Sequence, residues 1–275
     1  MIRVLLTGAA GKVGTVLRGY LRNQFSILRL TDISAVDSLS DGEEFEQCDM
    51  RDFDAVVKLM AGVDAVVHLG ASLSVNDWAE IRDNNIDATW NVYEAARLAG
   101  TSRIVFASSN HAIGMHERGT LLDLDAPLRP DSLYGLSKAF GENLARYYWD
   151  KYGIESACLR IGSHQTDPTN ERALCTWLSD DDLGQLVLRC LTVPFLGWTP
   201  IYGVSDNDRV WWDNGKAGYV GYRPRDNAET FAEAILSGAA PVDPLDPAVR
   251  FQGGVRSAQD YVGPEGGPLA AKKHG

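Results

Sequence analysis

The feature that most limits how this chain can fold is a regular alternation of short apolar runs with helical stretches. The runs are rich in β-branched residues and predict strands at 2–8, 26–32, 64–70, 102–109 and 154–162. The stretches between them have helical periodicity and predict helices near 12–23, 52–61, 77–99 and 133–152. Strands and helices in this alternation are joined as crossovers, so the pattern predicts an α/β fold with a doubly wound parallel sheet.

A glycine loop joins the first predicted strand to the first predicted helix, in the segment TGAAGKVG. Gly8 permits a tight turn, Gly11 lets the backbone approach a pyrophosphate, and Gly14 lets the helix pack closely on the strand. Asp32 ends the second predicted strand, where a carboxylate accepts hydrogen bonds from a ribose 2′-hydroxyl and repels a 2′-phosphate. The sequence therefore predicts a Rossmann-type sheet that binds NAD rather than NADP.

Further residues at the same edge of the predicted sheet are assigned to cofactor binding. Asp49 and Met50 are expected to face an adenine, although Asp49 can equally cap the helix that starts near Asp52. The segment HLGAS, at 68–72, ends a strand where a doubly wound sheet opens its crevice. The remaining cofactor contacts predicted in these segments and strand ends are Lys12, Val13, Ile33, Leu69, Gly70, Ala71, Ser72 and Ile161.

Charge and cysteine content exclude several classes of partner. The formal net charge of −11 predicts repulsion from nucleic acids and anionic membranes. No apolar stretch approaches the length of a membrane span. The four cysteines are widely spaced and form no CxxC pair, which argues against a disulfide framework and against a zinc site. These features predict a cytoplasmic protein that binds no metal.

The alternation of strands and helices loosens after residue 163. Ser179 and the acidic residues that follow it predict the N-terminus of a further helix. Asp226, with Glu229 three residues later, predicts the capping box of a last helix. We therefore predict three parts: an NAD-binding core at 1–163, smaller substrate-covering elements at 164–262, and a disordered tail at 263–275.

Tyr134 and Lys138 lie four residues apart in SLYGLSKAF, at the start of the helix predicted at 133–152. Residues with this spacing share one face of a helix, so we expect the Lys138 ammonium to lower the pKa of the Tyr134 phenol. A phenol with a lowered pKa can act as a general base. Ser109, which ends the strand 102–109, is predicted to orient the substrate oxygen. A Tyr/Lys pair is also common on helix surfaces, so this pair alone does not establish a catalytic site.

Taken together, these segments resemble the extended short-chain dehydrogenase/reductase family. The resemblance covers roughly residues 1–190 and rests on TGAAGKVG, FASSN and YGLSK, with Ser109 placed 25 positions before Tyr134. The segment NNI matches the helix asparagine of that family, and WLSDDDL resembles another of its stretches. The resemblance implies Ser109, Tyr134 and Lys138 as the catalytic set, and it adds Asn85, Tyr134 and Lys138 to the cofactor contacts.

Within that family the chain is most similar to the uronate dehydrogenases. The similar segments are RIVFASSNHAIG, RPDSLYGLSK, RIGS, TWLS, WWDN and VRFQGG. Those enzymes oxidise C1 of galacturonate or glucuronate with NAD and release an aldarolactone. The resemblance implies the same reaction here, in which Tyr134 takes the proton of the C1 hydroxyl while a hydride leaves for the nicotinamide.

The resemblance also assigns residues to the uronic acid. Arg172 matches the substrate arginine of the family, and a guanidinium suits bidentate recognition of a carboxylate. Arg129 and Arg160 are rival candidates, but Arg160 lies in a strand and is expected to form a structural pair. The other substrate contacts implied are Ser74, with Ser72 as its alternative, Ser109, Asn110, His111, Tyr134 and Ser163. His68 lies inside a strand and is expected to be a core residue.

Two other functions remain open on the sequence alone. A nucleotide-sugar epimerase or dehydratase of the same fold keeps Tyr134 and Lys138, but such enzymes generally need a larger C-terminal part. A non-catalytic NAD-binding sensor has no need of Ser109, Tyr134 and Lys138 together, so the presence of all three favours an enzyme.

Fold and family predict a homo-oligomer. The four tryptophans after residue 163 are expected to pack in the core or at a subunit interface rather than to stack on a sugar. They are Trp177, Trp198, Trp211 and Trp212.

Overall fold

A parallel sheet forms the centre of the computed structural model, which describes residues 2–238 and 242–264. The strands are β1 (Arg3–Thr7), β2 (Ile27–Thr31), β3 (Glu43–Phe45), β4 (Ala65–His68), β5 (Arg103–Phe106), β6 (Glu155–Ile161), β7 (Ser163–His164), β8 (Trp177–Leu178) and β9 (Trp198–Gly203). Seven of them form one sheet in the order β3-β2-β1-β4-β5-β6-β9, and β7 pairs with β8 apart from it. Every neighbouring pair is parallel. The predicted α/β class and doubly wound parallel sheet are confirmed.

Helices connect the strands and cover the sheet. They are α1 (Lys12–Leu21), α2 (Phe53–Leu59), α3 (Trp78–Ile81), α4 (Ala88–Ala99), α5 (Leu133–Tyr152), α6 (Glu171–Thr176), α7 (Asp180–Thr192), α8 (Ala232–Ser237), α9 (Pro247–Arg250) and α10 (Val255–Ala258). A π-helical segment, Arg82–Asp87, joins α3 to α4. Turns of 3-10 helix span Asn110–Ile113, Gly215–Val220 and Ala228–Phe231.

The side chains of β1 explain why helices cover both faces of the sheet. Val4 and Leu6 are buried in a cluster with residues of α1 and α7, and Leu5 is buried in a second cluster with residues of α2, α4 and α5. Successive side chains of a strand point to opposite faces, so a strand that is apolar at every position needs cover on both. Because helices cover both faces of the sheet, a ligand site has to form from the loops at the ends of the strands.

The crevice of the sheet lies between β1 and β4. β1 pairs with β2 on one side and with β4 on the other, so the chain winds outward from β1 in both directions. In doubly wound sheets, ligands bind outside the carboxyl ends of the strands at this point. Here those ends are Thr7 and His68.

All five predicted strands and all four helices predicted between them are present. β3 and β9 were not predicted. The sequence of β9, WTPIYG, contains Pro200, which lacks the N–H that a central strand requires. The proline is tolerated because β9 lies at the edge of the sheet. The sheet therefore continues beyond residue 163, where we placed the end of the NAD-binding core, and that boundary stays a prediction.

The prediction of a last helix that begins at Asp226 is wrong in two respects: the helical turn begins two residues later, and it is not the last in the chain. Asn227 caps the turn Ala228–Phe231 by accepting from Glu229 N at 2.9 Å, and α8, α9 and α10 follow. Asp226 lies one residue before this cap, and its carboxylate accepts from Ser179 Oγ. Ser179 caps α7 as predicted, accepting from Asp182 N at 3.1 Å. The predicted disordered tail lies, from residue 265 on, outside the described residues.

The four tryptophans after residue 163 are buried or half-buried. Trp177 and Trp212 are buried, and the ring of Trp212 stacks on Tyr202 with centroids 5.2 Å apart. Trp198 and Trp211 are half-buried. Packing rather than sugar stacking therefore accounts for Trp177 and Trp212.

Neither a membrane span nor a metal site is found in residues 2–238 and 242–264. No helix there is long and apolar enough to cross a membrane. The same residues hold no group of three or more His, Cys, Asp and Glu side chains that could bind a metal ion.

Candidate active site

A cavity of 370 Å³ lies at the carboxyl ends of β1, β2 and β4. The predicted cofactor residues that line it are Gly8, Gly11, Asp32, Ile33, Asp49, Met50, Leu69, Gly70, Ala71 and Ser72. The lining also includes residues that the sequence did not single out: Thr31, Cys48, Arg51, Glu80, Asn84 and Ala88. Apart from Asn84, which lies in NNI, no motif marks this second group, because only the fold brings its members to the crevice.

The glycine loop forms one wall of this cavity. Gly8 has a φ of +68°, in the left-handed region that glycine adopts without strain. A Cβ on Gly14 would lie 2.1 Å from Gly8 O, so a glycine is needed for α1 to start directly against the end of β1. Gly11 precedes α1 as its N-cap residue. The loop thus presents backbone and a helix N-terminus to the cavity, an arrangement that suits a pyrophosphate.

Asp32 lies beside the glycine loop. Its Oδ2 accepts from Ala10 N and its Oδ1 accepts from Ser34 N, each at 3.0 Å. These bonds orient the carboxylate, and each oxygen keeps a further lone pair for another donor. Asp49 accepts from the Arg51 guanidinium at 2.6 Å, while the cap of α2 is Asp52, which accepts from Ala55 N at 3.1 Å.

Replacing Asp32 with asparagine is expected to reduce the preference for NAD over NADP by at least about tenfold. The amide keeps an acceptor for the glycine loop but removes the charge that repels a 2′-phosphate, and such a charge contributes roughly 1–4 kcal/mol at contact distance. The measurement is the ratio of kcat/KM for the two cofactors. Asp41→Asn, at an exposed carboxylate before β3, is the matched control. An unchanged ratio in Asp32→Asn would mean that the ribose is held elsewhere.

Several predicted cofactor residues lie next to this cavity rather than in its lining. Lys12 Nζ donates to His164 O at 3.3 Å, and Val13 packs against the core. Ile161 ends β6 and forms a parallel bridge with Ser109. None of the three is among the residues that line the cavity, so their contact with a cofactor stays a prediction.

Asn85 joins the loop after β4 to α5. It lies buried in the π-helical segment, where its Nδ2 donates to Ser72 O at 2.9 Å and to Ser137 Oγ at 3.0 Å. Its Oδ1 accepts from Ser72 N at 2.7 Å. Ser137 Oγ donates in turn to Tyr134 O at 2.7 Å. Asn85 therefore sets the spacing between the cavity loop and the helix turn that carries Tyr134.

The structure brings Tyr134, Ser109 and Lys138 together. Tyr134 lies in the first turn of α5. The N-cap residue of this helix is Ser132, whose side chain accepts from Gly135 N at 3.1 Å. Ser109 acts on the Tyr134 hydroxyl and lowers its pKa, and the Tyr134 ring is buried. Lys138 Nζ lies 5.5 Å from the centroid of that ring.

The pKa of Tyr134 departs from the prediction. Burial raises it above the ordinary value, and the hydrogen bond with Ser109 and the charge of Arg256 only partly oppose that rise. Lys138 is itself buried, which lowers its own pKa to about 7. The expectation that Lys138 lowers the Tyr134 pKa is therefore wrong, because burial raises this pKa by more than the neighbouring groups lower it. No motif marks Arg256, because only the fold brings α10 to α5.

Arg172 is oriented by three neighbours. Its Nε donates to Gln252 O at 2.7 Å and its Nη1 donates to Ser163 Oγ at 3.2 Å. With its amide oriented to satisfy both polar ends, Asn110 accepts from Arg172 Nη2 at 2.6 Å and donates to Ile161 O at 3.0 Å. A guanidinium has five N–H donors, so two remain for a bidentate acceptor. Burial lowers the Arg172 pKa to about 10, which leaves the group charged at neutral pH.

The residues that the sequence set aside lie outside this arrangement. Arg160 forms a buried ion pair with Glu142 at 2.9 Å, as expected, and Arg129 is exposed. His68 is buried and its Nδ1 lies 2.8 Å from Thr7 Oγ1, as expected of a core residue. Burial lowers the His68 pKa to about 3, so its imidazole is neutral.

His111 follows Asn110 and faces Tyr134, with ring centroids 6.0 Å apart. Its Nδ1 lies 2.7 Å from Asp131 Oδ2. Because an ionised carboxylate only accepts, we assign the proton to Nδ1, which leaves Nε2 as an acceptor. Burial lowers the His111 pKa despite the opposing effect of Asp131. His111 is therefore a neutral acceptor beside the phenol.

Ser72 and Ser74 are separated in the structure. Ser72 lines the 370 Å³ cavity, and its Oγ donates to Glu80 Oε1 at 2.5 Å. Ser74 lies in a shallow depression formed by residues 73–79, and its N donates to Ser72 Oγ at 3.1 Å. Of the two serines, Ser72 is the one that lines the 370 Å³ cavity. A substrate contact by either serine stays a prediction.

A second cavity, of 700 Å³, opens beside Arg172. Arg118, Arg172, Arg256 and His111 are among the residues that line it, with Glu171 as the acidic residue in the described lining. Three guanidinium groups create a local positive potential in a chain whose net charge is −11. Such a cavity suits an anionic small molecule.

Known proteins are similar to this chain over most of its length. The model of the NAD dependent epimerase/dehydratase family matches residues 4–178. A uronate dehydrogenase of Pseudomonas putida is 49% identical over 253 residues, which are 92% of this chain and 94% of that protein.

Solved structures of two dehydrogenases are similar as well. A uronate dehydrogenase from Agrobacterium tumefaciens, a mutant complexed with NAD, has a TM-score of 0.89 and 47% identity, over 94% of this chain and 97% of that one. A glucuronic acid dehydrogenase from Chromohalobacter salexigens has a TM-score of 0.91 and 44% identity, over 94% and 99% of the two chains.

Proposed function

This chain belongs to the NAD dependent epimerase/dehydratase family and to its uronate dehydrogenases, and we propose that it oxidises D-galacturonate and D-glucuronate at C1, with NAD, to the aldarolactone. The observation that carries the proposal is the link between Tyr134 and Arg172. Ser109 acts on the Tyr134 hydroxyl and lowers its pKa, and the next residue, Asn110, accepts from Arg172. A base and a carboxylate receptor therefore flank one site.

The residues of the crevice fit NAD. A Cβ on Gly8 would lie 2.9 Å from Gly70 N, so the glycine loop and the loop after β4 approach as closely as two backbones can. Gly8, Gly11 and the start of α1 would hold the pyrophosphate, and Asp32 would hold the adenosine ribose. When bound, NAD accepts the hydride that leaves C1 of the sugar.

Tyr134 would take the proton of the C1 hydroxyl. Ser109, which lowers the pKa of the phenol, would hold the same sugar oxygen and align it with the base. Lys138 lies one helical turn behind and adds positive charge near the ring to the extent that it is protonated. The buried position of all three excludes water from the proton transfer.

Arg172 would bind the carboxylate at the other end of the sugar. Its Nε and one N–H of each terminal nitrogen are held by protein acceptors, so the two remaining N–H groups form a fork for the two carboxylate oxygens. Asn110, His111 Nε2 and Ser163 are the nearby groups that can bond ring hydroxyls. A homo-oligomer and a cytoplasmic location complete the proposal.

Substrate oxidation tests this function directly. The purified protein is mixed with NAD and, in turn, hexuronic acids, the matching aldoses and nucleotide sugars, and the absorbance of the reduced nicotinamide is followed. Rapid reduction with the hexuronic acids is expected. Reduction only with uncharged aldoses would contradict the role of Arg172, and no reduction with any of them, alongside normal NAD binding, would favour a non-catalytic sensor.

Arg172→Gln is expected to lower kcat/KM for hexuronic acids by about 10- to 100-fold, because a charge-assisted pair contributes roughly 1.5–3 kcal/mol. The effect should appear mainly in KM, and kcat/KM for the matching aldose should change little because that sugar has no carboxylate. Arg129→Gln, which removes an exposed arginine, is the control. An equal loss with the uronic acid and its aldose would show that Arg172 acts by supporting Asn110 and Ser163 instead.

A further inference from the structure

We propose that Arg256 is a positioning residue for Tyr134. The Arg256 guanidinium lies over the Tyr134 ring and supplies a fixed positive charge that favours the ionised form of the phenol. The inference rests on the proposed role of Tyr134 as the general base. Arg256 lies in α10, about 240 residues after the glycine loop in the sequence.

The Arg256 guanidinium is the closer of the two cations that face the ring. Its Cζ lies 4.8 Å from the centroid of Tyr134, whereas Lys138 Nζ lies 5.5 Å from it. Arg256 Nη1 also donates to Leu73 O at 3.4 Å, in the loop after β4. The side chain therefore crosses the phenol from α10 to the loop that borders the cofactor cavity, and a cation over an aromatic face is attracted to it.

The short segment that carries Arg256 is tied to the loop after Asn110–Ile113. Gln252 is buried, its N donates to His116 O at 2.8 Å, and its Nε2 donates to Thr120 O at 2.9 Å. Gly253 N donates to Gly114 O at 2.9 Å, and Ser257 Oγ donates to the same carbonyl at 3.2 Å. These bonds hold the start of α10 in place over α5.

The groups that face Tyr134 act on its pKa in different directions. Burial raises it, the hydrogen bond with Ser109 and the charge of Arg256 lower it, and the carboxylate of Asp131 raises it. His111 lies beside the ring as a neutral imidazole, because burial holds its pKa low. Lys138 faces the ring from the next turn of α5.

Arg256 can supply what Lys138 supplies only in part. Burial lowers the Lys138 pKa to about 7, so near neutral pH this ammonium is charged in only a fraction of molecules. A guanidinium keeps its charge over the whole working range of pH. The half-buried Arg256 is thus the permanent cation at the ring, and it offsets part of the cost of ionising a buried phenol.

The test is the pH dependence of kcat/KM in two neutral variants, Arg256→Met and Arg256→Gln. The acid limb should move upward by about one pH unit in each, because a unit charge at this distance is worth about that much when the pair is partly exposed to solvent. Below the limb, kcat/KM should fall about tenfold, and the deficit should narrow as the pH rises through the limb. Arg256→Lys should restore most of the lost activity.

A matched control removes another arginine that stacks on an aromatic ring. Arg146, on the exposed side of α5, lies 5.1 Å from the centroid of Trp198, and Arg146→Met should leave the limb where it is. NAD affinity, measured by calorimetry, should be unchanged in both neutral variants, which shows that they fold.

Two results would overturn the inference. One is a limb at the same pH with an equal deficit throughout, which would make Arg256 a substrate contact, and the other is no deficit at all. Failure of the proposed function would look different, because the unaltered chain would then not reduce NAD with hexuronic acids. Failure of the base role alone would leave Tyr134→Phe active whatever the Arg256 variants do.

Discussion

Tyr134→Phe should lose about a thousandfold in kcat while it binds NAD as tightly as the unaltered chain, since general base catalysis contributes about 10²- to 10⁴-fold. Only the hydroxyl is removed, so the buried ring still packs in the first turn of α5 and the contact with Arg256 is kept. The residues that line the cofactor cavity are unaltered. The measurements are steady-state kcat with a hexuronic acid and the NAD dissociation constant by calorimetry.

Tyr147→Phe is the matched control for this variant. Tyr147 lies on the same helix, its side chain is exposed, and its hydroxyl contacts only Tyr152 among the bonds described for it, at 3.4 Å. It should keep full activity. A Tyr134→Phe protein whose kcat stays within tenfold of the unaltered chain would rule out the phenol as the base.

Glu142→Gln should lower the free energy of unfolding by about 3–5 kcal/mol, the usual cost of leaving one member of a buried ion pair without its partner. Glu142 and Arg160 have side chains only 2% and 3% exposed, and they bond at 2.9 Å. Ser108 Oγ also donates to Glu142 Oε1 at 2.6 Å. The ion pair joins α5, which carries Tyr134, to β6. The bond from Ser108 joins α5 to the residue that precedes Ser109.

Urea unfolding followed by circular dichroism measures this effect, and two further variants define it. Glu142→Leu combined with Arg160→Met should recover much of the loss, because an apolar pair leaves no buried charge. Asp150→Asn, which breaks the exposed pair of Arg146 and Asp150 on the same helix, should cost less than about 1 kcal/mol. If Glu142→Gln costs no more than Asp150→Asn, the buried pair does not hold α5 in place.

The parts of the fold that the sequence predicted well are those whose signal is local. The helix predicted at 133–152 spans Leu133–Tyr152 in the structure, because Ser132 caps its start and Gly153 ends it in the left-handed conformation. Ser179 was a reliable cap for the same reason, since its partner Asp182 N lies three residues away. Asp226 looked equally suitable, but it lies one residue before the cap, and its carboxylate accepts from the distant Ser179.

The candidate site divides in the same way. Spacing alone placed Tyr134 and Lys138 on one helix face and set Asp32 at a strand end beside the glycine loop. Neither spacing nor motif marked Arg118 or Arg256, which the fold carries to the cavity beside Arg172. Asp131, which fixes the ring of His111 from 20 residues away, was missed for the same reason.

What the amino-acid sequence determined by itself was the order of strands and helices, the glycine loop and the residue types at the carboxyl ends of the strands. These follow from periodicity and spacing, which are properties of neighbouring residues. Only the tertiary structure decided which distant segments meet, as when Gln252 bonds Arg172 across 80 positions and Arg256 covers Tyr134. It also decided the direction of the Tyr134 pKa, because burial depends on everything that packs around the phenol and not on the lysine one turn away.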